Sequence, residues 1–386
     1  MIIKKPLKIL ILSYDWRNIF EKNFNELAQK MKRDRLAPEF NNLFILSWSP
    51  KSYCKKSGNI ETVHLKAFLG KFRVAYDFLL LFLTPIILLK KKFYPDIIFV
   101  RDFPLTLSSL FIKIFFRSRI VFFLGSMPTR LAKSRNFSFL RWLFHYFSET
   151  TAKHFIDCFI ANGAATKNYL RQIGIKEEKI KIMVEDVIER DKEIINVSTK
   201  DKIRNFYNIS ADRKIILSIG RLEEEKNFSG LLKAFAQLKR DDLTLIIVGD
   251  GVLKNKLKAE AENLVISDRV IFAGFIPHEK IWDYYKDADI FILFSFSEGS
   301  PTVFREAMYM GVPVIGSKIE AIKEFIGDNE ERGFLWGEED KIGKLAEKIN
   351  FCLSGSSEFK KMTERAKRFI EENIKVNYNI NDYVDL

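Results

Sequence analysis

The sequence predicts an α/β protein made of two doubly wound, parallel-sheet domains. Short apolar runs alternate with helical patterns through the first half, and the same alternation restarts after residue 202. That βαβα rhythm marks a parallel sheet covered by helices. Between the two series, Glu185–Lys202 is polar and charged without strong periodicity, which sets a boundary that divides 1–190 from 191–365. A chain of 386 residues is long enough for two cores.

In the first half the strand candidates are Ile9–Leu12, Leu43–Leu46, Ile97–Val100, Ile120–Leu124 and Cys158–Ala161, with helical stretches such as Phe20–Met31 and Phe78–Lys91 between them. Pro95-Asp96 marks a turn into Ile97. In the second half the order is strand Ile215–Ile219, helix Phe228–Leu238, strand Leu243–Val248, helix Val252–Asn263, strand Val270–Ala273, helix Ile281–Tyr285 and strand Ile290–Phe294. A Gly/Ser/Pro loop, a helix carrying Glu306, and strand Pro313–Gly316 follow; Ser357–Glu372 reads as a charged helix. The two halves share a rhythm and no internal repeat.

The charge is divided between the halves. Residues 1–190 hold 33 Lys+Arg against 16 Asp+Glu, net +17, and the remainder holds 30 against 34, net −4. A basic half can face nucleic acid, anionic lipid or an anionic substrate. No helix-turn-helix, zinc finger or RNA-binding aromatic motif accompanies it, so nucleic acid is not an expected partner. Cys54, Cys158 and Cys352 are far apart and odd in number, which argues against a disulfide framework or zinc cluster and for a reducing, cytoplasmic compartment. No signal peptide is read at the start, where Lys4, Lys5 and Lys8 run straight into a strand. The apolar segment Phe78–Leu89 is 12 residues, short of the roughly 20 that cross a bilayer.

The segment Ser297-Glu298-Gly299-Ser300-Pro301-Thr302-Val303-Phe304-Arg305-Glu306 carries the chemistry. Glu298 falls in a loop at the carboxyl end of a strand, where open α/β sheets bind ligands. Glu306 falls about two turns later in the following helix, whose N-terminus offers backbone N–H groups to an anion. Two carboxylates beside an anion site suit a ligand that is part polyol and part phosphate.

With Ser218-Ile219-Gly220-Arg221-Leu222-Glu223-Glu224-Glu225-Lys226 upstream, and Leu245–Gly251 and Val270–Phe275 between, the segment resembles the E-x7-E pattern of retaining glycosyltransferases of family 4, also called glycosyl transferases group 1. The resemblance covers roughly residues 200–370 and is loose in the N-terminal half. It implies the GT-B fold: two Rossmann-like doubly wound domains facing a cleft, with residues 366–386 as a C-terminal helix returning to the first domain. It implies a nucleotide-diphosphate sugar as donor. Arg221 and Lys226 would neutralise the departing diphosphate, Arg through a rigid fork and Lys as a point charge. Glu298 would accept hydrogen bonds from sugar hydroxyls, Gly299 and Ser300 would offer N–H groups, and Glu306 would bind the ribose. Gly274, Phe275 and Ile276 match the loop that contacts the base, and Gly220, Pro301, Thr302 and Val303 complete the donor set.

Asp287-Ala288-Asp289 has the spacing of a metal-binding D-x-D, yet it precedes a strand, at the end opposite the expected site, so a turn or cap role is expected. No cofactor and no metal is expected. The resemblance also implies retention of configuration, with front-face attack and the departing phosphate taking the acceptor's proton.

The pattern departs from the family on the acceptor side. The loop after the first strand, Ser13-Tyr14-Asp15-Trp16-Arg17-Asn18, has no glycine. The place where many members carry a histidine reads Phe123-Leu124-Gly125-Ser126-Met127-Pro128, and the usual N-G-V-D is replaced by Val184-Glu185-Asp186-Val187. The expected acceptor is a lipid-linked or cell-surface glycan. The basic and aromatic run Arg135–Phe147, with Lys90-Lys91-Lys92, Lys113, Arg117 and Arg119, implies an enzyme peripheral on the anionic inner face of a cytoplasmic membrane. The alternatives are a soluble transferase with a small acceptor and a catalytically weak scaffold of a glycan assembly complex. Base, sugar and oligomeric state stay open.

Overall fold

A computed structural model describes residues 7–12, 40–49, 53–57, 60–66, 83–100, 106–124, 139–182, 193–196, 200–337, 340 and 342–373. The expected helix Phe20–Met31, the loops at 13–18, 125–128 and 184–187, and residues 374–386 of the expected returning helix lie outside them.

The first sheet holds eight strands: β1 (Leu7–Leu12), β2 (Phe40–Ser49), β3 (Tyr53–Ser57), β4 (Ile60–Lys66), β5 (Ile97–Val100), β6 (Arg119–Leu124), β7 (Cys158–Ala161) and β8 (Ile180–Ile182). Their order is β3-β4-β2-β1-β5-β6-β7-β8. Every pairing is parallel except β3 with β4, which forms an antiparallel edge. The second sheet, entirely parallel, holds β9 (Lys214–Ile219), β10 (Leu243–Val248), β11 (Val270–Gly274), β12 (Ile290–Leu293), β13 (Val314–Ser317) and β14 (Phe334–Trp336), ordered β11-β10-β9-β12-β13-β14.

The core follows from the strand sequences. All six residues of β10, Leu-Thr-Leu-Ile-Ile-Val, are buried, as in a sheet covered on both faces. One side of the second sheet packs Leu217, Ile246, Phe291 and Phe304 together with Trp282 and Tyr285; the other packs Ile216, Leu245, Ile247 and Ile292 against Leu232 and Phe235. The first sheet buries Leu10, Leu12, Phe44, Ile98, Ile120, Phe122 and Phe159. Helix Ser357–Asn373 buries Met362, Ala366 and Ile370, with Ala366 and Ile370 in the core of the second domain.

The strand order positions the site. From β9 the chain winds outward through β10 and β11; from β12 it winds the other way through β13 and β14. The loops after β9 and β12 therefore diverge at adjacent carboxyl ends and leave a crevice between them, the place where such sheets bind ligands. Arg221 follows β9 and Glu298 follows β12.

Candidate active site

The loop after β9 is pinned by the loop after β10. Gly220 donates its N–H to Val248 O at 3.0 Å, Leu222 to Asp250 O at 3.0 Å, and Leu253 donates to Leu222 O at 3.0 Å. The contact is close enough to require glycine: a Cβ on Gly249, whose φ is +140°, would stand 1.9 Å from the Gly220 carbonyl oxygen. Thus pinned, the loop projects Arg221 at the rim, its side chain 61% exposed and paired with Glu223 at 3.0 Å and Glu225 at 3.6 Å. A single 3-10 turn, Glu224–Lys226, then ends at Asn227, which takes a left-handed conformation and accepts the N–H of Gly230 at 3.1 Å.

That turn delivers Lys226 to the loop after β12. Its Nζ donates to Glu298 Oε1 at 2.6 Å, and Ser295 Oγ donates to the same oxygen at 2.6 Å. Phe296 N–H donates to Glu225 O at 2.9 Å, so backbone as well as side chains holds the two loops together. The Lys226 and Glu298 side chains are 16% and 10% exposed, at the inner wall of the crevice. Gly299, buried Ser300 and Pro301 lead into helix Thr302–Tyr309; Pro301 stands at its N-cap. The fixed φ of proline suits a helix start.

Glu306 lies within that helix at 1% exposure. Its carboxylate is held by two residues of helix His278–Asp287: Tyr285 hydroxyl donates to Oε2 at 2.8 Å, and His278 Nε2 stands 2.8 Å from Oε1. Burial, and after it the nearby Glu306 carboxylate, pushes the Tyr285 phenol well above its ordinary pKa, so it stays a donor. Gly274, at φ +74°, accepts the N–H of Gly249 through its carbonyl at 2.8 Å; Phe275 beside it is 74% exposed and Ile276 packs on the core.

Every residue expected at the donor site is therefore carried at the end of β11, on the loops after β9, β11 and β12, or on helix Thr302–Tyr309. The sequence reading missed Ser295, His278 and Tyr285. Only Ser295, three residues before Glu298, left a local signal. Asp287 and Asp289 sit at the opposite ends of the strands. Asp287 accepts the N–H groups of Asp201 at 2.5 Å, Ile203 at 2.7 Å and Arg204 at 3.1 Å, which caps helix Lys202–Phe206. Asp289 accepts from Ile215 N–H at 2.8 Å and pairs with Lys214.

The first domain reaches this loop through the turn after β7. A Cβ on Gly163 would lie 3.2 Å from Gly299 O, 3.3 Å from Ser300 Cβ and 3.4 Å from Glu324 Oε2. Ala164 N–H, at the start of helix Ala164–Gln172, donates to Glu324 Oε2 at 3.0 Å, and Asn168 donates to Glu320. Burial raises the Glu324 pKa, opposed by the Ala164 N–H and the charge of Arg305.

Two Rossmann-like sheets, with a crevice at the carboxyl ends of β9 and β12, define a GT-B architecture. Solved structures share it: sucrose-phosphate synthase of Thermosynechococcus elongatus superposes with a TM-score of 0.76 at 17% identity, covering 98% of this chain and 96% of that one. The HepE protein of Anabaena, solved with UDP and glucose, superposes at 0.71 with 19% identity, covering 95% of each chain. Residues 199–369 match the family model for glycosyl transferases group 1. Among curated relatives, the alpha-monoglucosyldiacylglycerol synthase of Streptococcus pneumoniae is 31% identical over 199 residues, 51% of this chain and 45% of its own. An N-acetylgalactosaminyltransferase of Campylobacter jejuni, named for an undecaprenol-linked acceptor, is 32% identical over 192 residues, 49% of this chain and 52% of its own. The chain thus spans about half the length of these relatives.

Proposed function

We propose that the chain is a retaining glycosyltransferase that moves a sugar from a nucleotide-diphosphate sugar to a hydroxyl of a lipid-linked or cell-surface glycan, without a metal. The observation that carries this is the Lys226–Glu298 pair at 2.6 Å in the crevice between β9 and β12. It sets a cation for the phosphates against a carboxylate for the sugar. Arg221 stands on the same loop as Lys226, and the start of helix Thr302–Tyr309 follows Glu298.

In this reading the bond from the anomeric carbon to the diphosphate oxygen breaks first. Positive charge grows on the sugar and negative charge on the diphosphate. Arg221, Lys226 and the N–H groups of Gly299 and Ser300 receive the negative charge, the kind of fixed stabilisation that is often the largest catalytic contribution. Glu298 orients the sugar through its hydroxyls, with Oε1 held by Lys226 and Ser295. The acceptor oxygen attacks from the face the phosphate is leaving, and a phosphate oxygen takes its proton. Configuration is retained, and no enzyme carboxylate is required as a nucleophile.

The relatives' names support a lipid or lipid-linked acceptor. So does the surface of the first domain. Ile86 is 48% exposed, Leu89 54%, Ile114 68% and Phe115 66%, beside exposed Lys90, Lys92 and Arg117. Apolar side chains fringed by lysine suit an anionic bilayer surface. Lys113 is already neutralised by Asp157 at 2.7 Å and Lys91 by Glu61 at 2.5 Å, so both add little to that surface. Of the basic-aromatic run 135–147, residues 135–138 lie outside the described residues; Tyr146 and Phe147, in helix Phe139–Phe155, are 44% and 55% exposed. Among the described residues, no helix is long and apolar enough to cross a membrane.

The test is a thermal-shift screen of UDP-, GDP- and ADP-sugars, because a ligand that binds only the folded state raises apparent stability. One family of nucleotide sugars should raise the melting temperature of the native chain and leave a Lys226→Ala, Glu298→Ala double variant unmoved. A screen in which no nucleotide sugar shifts the native chain overturns the proposal.

A further inference from the structure

Glu306 is sealed as well as held. Its side chain is 1% exposed, so no ligand reaches it unless a neighbour moves. Of its two donors, Tyr285 is 0% exposed and belongs to the core. His278 is different: its side chain is 33% exposed, so it reaches from solvent down to Oε1. It is the first residue of its helix and follows, one residue on, Gly274-Phe275-Ile276, the loop matched to base contact. Its ring meets Trp282 edge-on at 5.6 Å. A buried carboxylate without donors is costly, and an imidazole N–H answers that need.

We propose that His278 is a placeholder for the donor's ribose. Its Nε2–H makes with Glu306 Oε1 the hydrogen bond that a ribose hydroxyl makes in the complex, and a nucleoside diphosphate binds by exchanging one donor for the other. The inference rests on the reading of this crevice as a nucleotide-sugar site. Donor affinity is then a difference: the ribose bond gained less the imidazole bond given up. Tyr285 keeps Oε2 fixed throughout, so the exchange moves one side chain and leaves the carboxylate in place.

The test is titration calorimetry on the full chain with UDP, GDP and ADP, then with the 2′,3′-dideoxy form of whichever binds most tightly. Removing the competitor in His278→Ala should tighten ribonucleotide binding about three- to tenfold, the worth of one net hydrogen bond. His278→Gln, whose amide N–H can replace the imidazole donor, should bind about as the native chain does. His278→Ser, polar but too short to reach Oε1, repeats the alanine arm should that variant fold poorly. The dideoxynucleotide, with no hydroxyl to exchange, should bind the native and His278→Ala chains alike. Weaker or unchanged ribonucleotide binding in both short variants overturns the placeholder, as does an equal gain for the dideoxynucleotide. Glu306→Gln separates the two levels. If it leaves ribonucleotide affinity unchanged, the ribose role of Glu306 fails. If it weakens binding while His278→Ala brings no gain, only the placeholder fails. If none of the three nucleotides binds the native chain, both fall.

Discussion

Glu298 can be tested against Lys226 as a pair. Glu298→Ala removes the carboxylate and leaves Lys226 Nζ, 2.6 Å away and 16% exposed, without that partner. Fully burying an unpaired charge costs about 3–5 kcal/mol. Here the crevice wets one side, so the stability loss should be about 1–2 kcal/mol, within the range for one lost charged hydrogen bond. The loss of turnover should be larger. A hundredfold drop corresponds to ~2.7 kcal/mol of transition-state stabilisation, the scale expected when a group facing developing charge is deleted. Lys226→Ala should cost about as much, and the double variant should fall well short of the product of the two, because residues acting as a unit are not additive. The assay is initial-rate turnover with the donor found by thermal shift, alongside urea unfolding of all four chains. Rates within threefold of native in Glu298→Ala, in a protein that unfolds at the native midpoint, would refute the assignment of the pair to catalysis.

Arg221→Ala should also lower turnover about a hundredfold but leave the melting temperature unchanged, since its side chain is 61% exposed and packs in no core; native turnover would sink the diphosphate role. Enzyme dialysed against EDTA should keep most of its rate; a loss restored by manganese or magnesium would return Asp287 and Asp289 to consideration as ligands. Gly249→Ala forces a Cβ to within 1.9 Å of Gly220 O unless the backbone shifts, so it should destabilise by about 1–3 kcal/mol and carry Arg221 out of place, read by thermal melting and by turnover together. The native chain should sediment with phosphatidylglycerol vesicles at low ionic strength and release at high salt; indifference to the vesicles at low salt would favour a soluble acceptor.

The second domain was legible because its information is local. Strand Leu243–Val248 and helix Phe228–Leu238 match the structure residue for residue, one a continuous apolar run and the other an amphipathic stretch opened by Asn227. Glu298 and Glu306 were legible for the same reason: both lie on one segment with a strand before it and a proline at the helix start. The hairpin β3–β4 was not, since Tyr-Cys-Lys-Lys-Ser is a polar edge strand and shows no apolar run. Strands β8 and β14 are three residues each, too short to display a period. The helix read as Ile281–Tyr285 begins at His278, because its first turn, His-Glu-Lys, is polar and adds nothing to the apolar pattern. His278 and Tyr285 reach Glu306 across 28 and 21 residues of chain, so their part in the site emerges only once the two helices pack. Lys113 illustrates the converse: a basic residue that looks available in the sequence is committed to Asp157, 44 positions away.

Gly163 bears on how far this molecule can be cut and recombined. By chain order it belongs to the first half, yet the atoms nearest its absent side chain are Gly299, Ser300 and Glu324 of the second. A chimera joined near residue 190 would inherit the donor loop from one parent and the turn that leans on it from another. A Cβ arriving at position 163 would need the loop that carries Gly299 and Ser300 to give by a few tenths of an ångström. Engineers who wish to change the acceptor by exchanging N-terminal domains would therefore do well to keep the turn at 162–164 and helix Ala164–Gln172 with their native partner, and to splice upstream of Cys158 as well as at the linker.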